Sequence, residues 1–116
     1  MGYEKFTKQR RPAKDQSMIT VLKSGLLGIN KRCMEEYFRD CKYAEMYYDS
    51  EQKKIGIRPT NNSTNDAYNV RPIKDGKLGS ISVREFLKHF GIEHEKSIAY
   101  SAVWNDKEKL VEIILK

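Results

Sequence analysis

Long apolar runs are missing from this chain. None approaches the roughly 18 residues that a membrane-crossing helix needs, so a helical span is excluded. The first residues hold no apolar segment of the signal-peptide kind. Met1-Gly2 begins like a myristoylation motif, but Phe6 stands where that motif needs Ser or Thr. Asn61-Asn62-Ser63 and Asn62-Ser63-Thr64 match the glycosylation acceptor, which has no use without a secretory signal. Cysteine is scarce. Cys33 and Cys41 lie eight residues apart in a helix expected over Lys31 to Cys41. At about 1.5 Å rise per residue they are about 12 Å apart, too far for a disulfide. Both are read as reduced and partly buried, and the expected location is cytoplasmic.

Catalytic signatures are missing too. There is neither a Gly-x-Gly-x-x-Gly stretch nor a Gly-Lys-Ser/Thr run to cradle phosphates. No serine sits in a nucleophile-elbow context. Glu35 and Glu36 are adjacent on the expected helix and point about 100° apart, so they do not serve one site. His89 follows Lys88 on a polar helix side, and His94 lies between Glu93 and Glu95 in a loop. With both cysteines in another segment, the spacing gives no convergent metal site. Asp49 and Asp106 fall in turns, where Asp is expected for local hydrogen bonding. The reading is a non-enzyme with no cofactor and no metal.

What is present is charge and strand-forming sequence. A length of 116 residues suits one compact domain, and 39% hydrophobic content permits a modest core. The formal net charge of +6 suits a polyanionic partner. Residues 1–15 read as a basic arm, in which Lys5, Lys8, Arg10, Arg11 and Lys14 face only Glu4 and Asp15. Such arms bind phosphate backbones by counterion release and read little sequence.

Ser17 to Leu22 is rich in β-formers and reads as a strand. Lys23-Ser24-Gly25 is a turn, and Leu26 to Ile29 returns as a second strand. Asn30 suits the N-cap of the helix that follows. Along that helix Cys33, Met34, Tyr37, Phe38 and Cys41 make one apolar face. Tyr43 to Asp49 and Lys54 to Arg58 read as strands around a polar turn, with Pro59 ending the second. Thr60 to Asp66 reads as an exposed linker. Ala67 to Ile73 and Leu78 to Ile81 then flank a turn with the Asp75-Gly76 signature. Ser82-Val83-Arg84-Glu85 fits a capping box. Val83, Phe86, Leu87 and Phe90 mark a second helix face, which Gly91 stops. Lys96 to Trp104 and Leu110 to Leu115 read as the last strands. Of the tyrosines, Tyr43 and Tyr47 share one strand face and Tyr48 the other. They read as half-buried packing, with stacking on unpaired bases as the sharper alternative.

The same order of elements is read twice. Gly25 matches Gly79, Tyr48 matches Trp104, and Ile57 matches Ile113. The expected fold class is therefore α+β, built from two pseudo-repeated β-β-α-β-β units with one short helix each. The expected boundaries are an arm at 1–15, a first unit at 16–59, a linker at 60–66 and a second unit at 67–116, with the two units packed as one domain.

The run from Ser17 to Pro59 includes Gly25, an Ile29-Asn30 helix entry, a strand ending at Asp49 and Ile55-Gly56-Ile57-Arg58-Pro59. It resembles the AbrB-like swapped-hairpin domain found in AbrB, SpoVT, MraZ and MazE-type antitoxins. It departs at Leu26, where the family has a basic residue, and at Asn30, where it has Pro. The resemblance implies DNA binding by a basic face of an interleaved β core, in the manner of a transcription regulator. The residues assigned to nucleic acid are Lys5, Lys8, Arg10, Arg11, Lys14, Lys23, Lys31, Arg32, Lys74 and Lys77. DNA is the expected partner, with a homodimer as a further expectation and no membrane. The alternative is a non-enzymatic interaction or assembly module whose basic charge is incidental.

Overall fold

The computed structural model describes residues 16–63, 66–74 and 76–115. Its elements run β1 (Met18–Val21), β2 (Leu26–Ile29), α1 (Lys31–Tyr37), β3 (Tyr43–Asp49), β4 (Lys54–Thr60), β5 (Ala67–Ile73), β6 (Leu78–Ser82), α2 (Arg84–His89), β7 (Ile98–Ser101), β8 (Val103–Asn105) and β9 (Leu110–Ile114). The strands form one antiparallel sheet in the order β7-β1-β2-β6-β5-β3-β4-β9-β8. The two ends of that order, β7 and β8, are consecutive in the chain, so the sheet curls into a nearly closed barrel.

Ala102 is the hinge of that closure. Its N–H donates to the Ser17 carbonyl at 2.8 Å, on the β1 side. Val103, the next residue, registers against Glu112 of β9. Successive residues of an antiparallel strand direct their amides to opposite edges, which is how one extended run changes partner within a residue. The expected single strand from Lys96 to Trp104 is therefore two short ones.

Alternation fills the barrel. Ile19, Val21, Leu27, Ile29, Ile55, Ile57, Ile81, Val111 and Ile113 point inward and are at most 2% exposed. Burying each such side chain contributes about 1.5–3 kcal/mol. The helices close opposite ends. Ile29 pairs with Gly79 and Leu26 with Ser82, so α1 leaves one end of the β2–β6 ladder and α2 the other. α1 buries Cys33, and α2 buries Phe86 and Leu87.

The expected fold class does not hold. Strands take 47% and helix 13% of the described residues, which makes the protein mostly β rather than an α+β pair of β-β-α-β-β units. The second helix is followed by three strands, and strands from both sides of the 60–66 segment alternate around one sheet. α1 also stops at Tyr37, short of the expected Cys41. Phe38 turns out of the helix at φ −115°, and Asp40 takes a left-handed φ of +60°. Cys41 thus lies outside the helix, so the 12 Å helical separation does not apply. Both cysteines are free thiols.

Two local expectations also fail. Ser82 makes no cap, because it is the last residue of β6; Val83 is the N-cap and carries no side-chain capping bond. β4 runs through Pro59 to Thr60, paired with β3 alone at that point. The β9 ladder ends at Ile57, so the missing Pro59 N–H deprives no neighbour. At α2, Gly91 does act as the stop. It sits at φ +64°, with its N–H on the Lys88 carbonyl and the Ile92 N–H on the Leu87 carbonyl. That pair of bonds is a Schellman cap.

Candidate nucleic-acid interface

The α1 end of the barrel begins at Asn30. Its Oδ1 accepts from Cys33 N–H at 2.9 Å, which caps the helix, and from Met18 N–H at 3.1 Å. Its Nδ2 donates to the Gln16 carbonyl at 2.8 Å. One amide thus ties the start of β1, the end of β2 and α1 together, and fixes where Lys31 and Arg32 stand. Arg32 is committed within the helix: its Nε lies 2.9 Å from Glu36 Oε2. Glu36 also accepts from the Ser17 hydroxyl. The Ser17 bond first, and Arg32 with it, hold the Glu36 carboxyl below its usual range.

The β5–β6 hairpin reaches the same end. Ile29 pairs with Gly79, so Lys31, two residues past one, and Lys77, two before the other, lie beyond the same edge of the ladder. Lys77 N–H donates to the Lys74 carbonyl at 3.2 Å, and Lys74 is at φ +55°. Gly79 is where the hairpin meets the helix: a Cβ there would sit 2.5 Å from Met34 Sδ.

Between α1 and the hairpin lies a groove of about 540 Å³. Met34 and Pro72 are its accessible apolar walls, and Phe38 and Val70 close its floor. Glu35, Arg39, Asp40 and Lys42 also line it. The Lys42 backbone is pinned, with its N–H on Asn61 Oδ1 at 3.0 Å and its carbonyl accepting from Val70 N–H at 2.9 Å. Arg71 follows on the exposed face of β5. Lys31, Arg39, Lys42, Arg71, Lys74 and Lys77 are all exposed, and none is in an ion pair with another described residue.

Lys23 does not join them. It sits in the β1–β2 turn at the opposite end, with its N–H on Ser97 Oγ at 3.1 Å. It shares a cavity there with Glu93, His94 and Glu95. The arm residues Lys5, Lys8, Arg10, Arg11 and Lys14 lie outside the described residues. Of the assigned set, then, the structure brings together Lys31, Arg32, Lys74 and Lys77. Arg39, Lys42 and Arg71 join them here and are not in the assigned set.

A second set of acidic side chains lies away from this groove. A cleft of about 510 Å³ is lined by Glu45, Asp66 and Glu85, with Tyr47 and Tyr68. Burial first, then Glu85 and Asp66, push the Tyr68 phenol above its usual range. Tyr47 has no free ring face for a base on the side covered by Arg58, whose guanidinium carbon lies 5.0 Å from the ring centroid. Tyr48 packs on Phe90 with centroids 5.1 Å apart. Among the described residues no group of three or more His, Cys, Asp or Glu side chains is placed to hold a metal ion, and no helix is long and apolar enough to cross a membrane. No family model matches this chain, and no curated protein or solved structure matches it.

Proposed function

We propose that this protein binds nucleic acid with the α1 end of the barrel. The observation that carries the reading is the exposed set Lys31, Arg39, Lys42, Lys74 and Lys77, with no described carboxylate paired to any of them. Cations without a carboxylate partner, grouped on one end, suit a phosphate backbone, and Glu35 and Asp40 on the same groove form no ion pair with them. The basic residues of positions 1–15 add backbone contacts to the same proposal. The resemblance to the AbrB-like domain brings duplex DNA and transcription regulation into it as one form of that binding.

The test is fluorescence anisotropy with labelled oligonucleotides over a series of salt concentrations. Each lost phosphate contact lowers the slope of log affinity against log salt by roughly 0.7 to 0.9. The triple substitution Lys31→Ala, Lys74→Ala, Lys77→Ala is expected to lower it by about 2.1 to 2.7. Lys23→Ala is expected to leave it unchanged. Equal losses from both variants, or no binding at low salt, would overturn the reading.

A second reading rests on the barrel seam. Val103 and Ile114 are 57% and 63% exposed and flank a cavity of about 380 Å³ that Met18 and Tyr100 also line. Exposed apolar side chains grouped in this way suit a protein interface, including one between two copies. Sedimentation velocity of the protein and of Val103→Lys/Ile114→Lys decides it: a dimer that the substitutions dissociate supports the interface, and a monomer at all concentrations removes the homodimer.

A further inference from the structure

Resting on the nucleic-acid reading of the α1 end, we infer that the groove between α1 and the β5–β6 hairpin takes an unpaired base carrying an exocyclic amino group. The ligand it fits best is therefore a single strand rather than a duplex.

Three observations lead there. The groove is concave and its accessible walls, Met34 and Pro72, are apolar. A duplex keeps its bases stacked and offers phosphates and sugars on its outside, so such walls gain nothing from it. A single strand can turn a base out and bury its face against them. Arg39 and Lys42 sit on the same groove, and Lys74 and Lys77 on the hairpin beyond, so a backbone on either side of the base meets a cation. Glu35 and Asp40 also line the groove, and neither is in an ion pair with a described residue. On a surface that met phosphate alone these carboxylates would only repel. Toward a base edge they accept from amino groups, those of cytosine, adenine or guanine. Thymine offers a carboxylate only its N3–H, and the carbonyls on either side of it face the carboxylate unfavourably.

The experiment uses the full chain and fluorescein-labelled oligo(dC), oligo(dT) and a mixed-sequence duplex of equal length. The comparison protein is Glu35→Gln/Asp40→Asn. Asn tolerates the left-handed φ of +60° at position 40, so the backbone is kept. Circular dichroism and Trp104 emission confirm that the variant is folded. The expected result is oligo(dC) binding on the order of fivefold or more tighter than oligo(dT), with the duplex weaker than oligo(dC). In the double variant the dC-to-dT ratio falls toward one, while oligo(dT) affinity holds or rises. Simple charge removal would raise both affinities together and leave the ratio alone. A duplex bound as tightly as oligo(dC), or a ratio unchanged in the variant, overturns the inference and leaves the nucleic-acid reading standing. No binding of any oligonucleotide at low salt overturns both.

Discussion

Substituting Gly25 by alanine is the sharpest test of how the β1–β2 turn seats α2. Gly25 sits at φ +93°, donates its N–H to the Leu22 carbonyl at 3.0 Å and accepts from Val83 N–H at 2.9 Å. An added Cβ would lie 2.9 Å from Arg84 Cβ and 3.2 Å from Arg84 Cα. Arg84 is the first residue of α2, so neither atom can rotate aside. A left-handed conformation costs an L-residue about 1–2 kcal/mol, and φ +93° lies outside the favoured left-handed well, toward the upper figure. Overpacking adds about 1–3 kcal/mol. The stiffer unfolded chain gives back about 0.4–1 kcal/mol. The net expectation is a loss of about 2–4 kcal/mol. Gly91→Ala is the control: it shares a positive φ, +64°, but no atom lies within 4 Å of its added Cβ. Its expected loss is about 1 kcal/mol or less. Urea unfolding followed by Trp104 emission measures both, since that ring stacks on Tyr37 at 5.6 Å. The slope against urea should stay unchanged. If Gly25→Ala costs no more than Gly91→Ala, the close approach of the turn to α2 is wrong.

Asn30→Ala removes the α1 cap and orphans the Met18 N–H. The expected cost is about 1–3 kcal/mol in the same urea assay, and a neutral result would refute the bridging role. The Cys33 thiol is pushed up from 9.0 to about 12, by burial first and then by Glu36. Below pH 9.0 it is protonated folded and unfolded alike, and contributes no pH dependence. Between 9.0 and about 12 only the unfolded chain ionises, so stability falls as pH rises, by up to about 1.4 kcal/mol per pH unit. Cys33→Ala should flatten that slope in urea midpoints taken across the alkaline range, and an unchanged slope would assign it to other groups. Iodoacetamide near neutral pH should modify the partly exposed Cys41 well before the buried Cys33, as read by peptide mass.

The strands that alternate were legible because they carry their own period. Ile19 and Val21, Leu27 and Ile29, and Ile55 and Ile57 alternate with outward residues, and a period of two needs no knowledge of the partner strand. Helix extent was less legible. Tyr37, Phe38 and Cys41 keep helical spacing, yet the chain turns at Phe38 and Asp40 so that Lys42 can meet Asn61 and Val70. That demand comes from residues about 20 to 30 positions away, and local spacing contains no trace of it. Ser82 misled for a similar reason. Its neighbours fit a capping box, but pairing with Leu26 holds it in β6. The fold class failed at the same level: element order was readable up to the β7–β8 split, whereas the sheet the strands join was not.

The candidate site shows why a list of charges is not a surface. Lys23 and Lys31 are eight residues apart and both follow short β-rich runs, so the sequence treats them alike. Antiparallel pairing of β1 with β2 sends them to opposite ends of the barrel. Lys77 lies 46 positions from Lys31, yet the Ile29–Gly79 pairing puts both beyond one edge. Register therefore decides which cations share a phosphate backbone and which stand among Glu93 and Glu95. The β2–β6 ladder that sets this register joins residues about 50 apart through backbone bonds, which carry no side-chain signature. Gly79 adds a condition of its own, because the contact with Met34 leaves no room for a Cβ. A glycine at the start of a strand reads locally as a turn residue; here it is what lets α1 and the hairpin approach closely enough to enclose a groove.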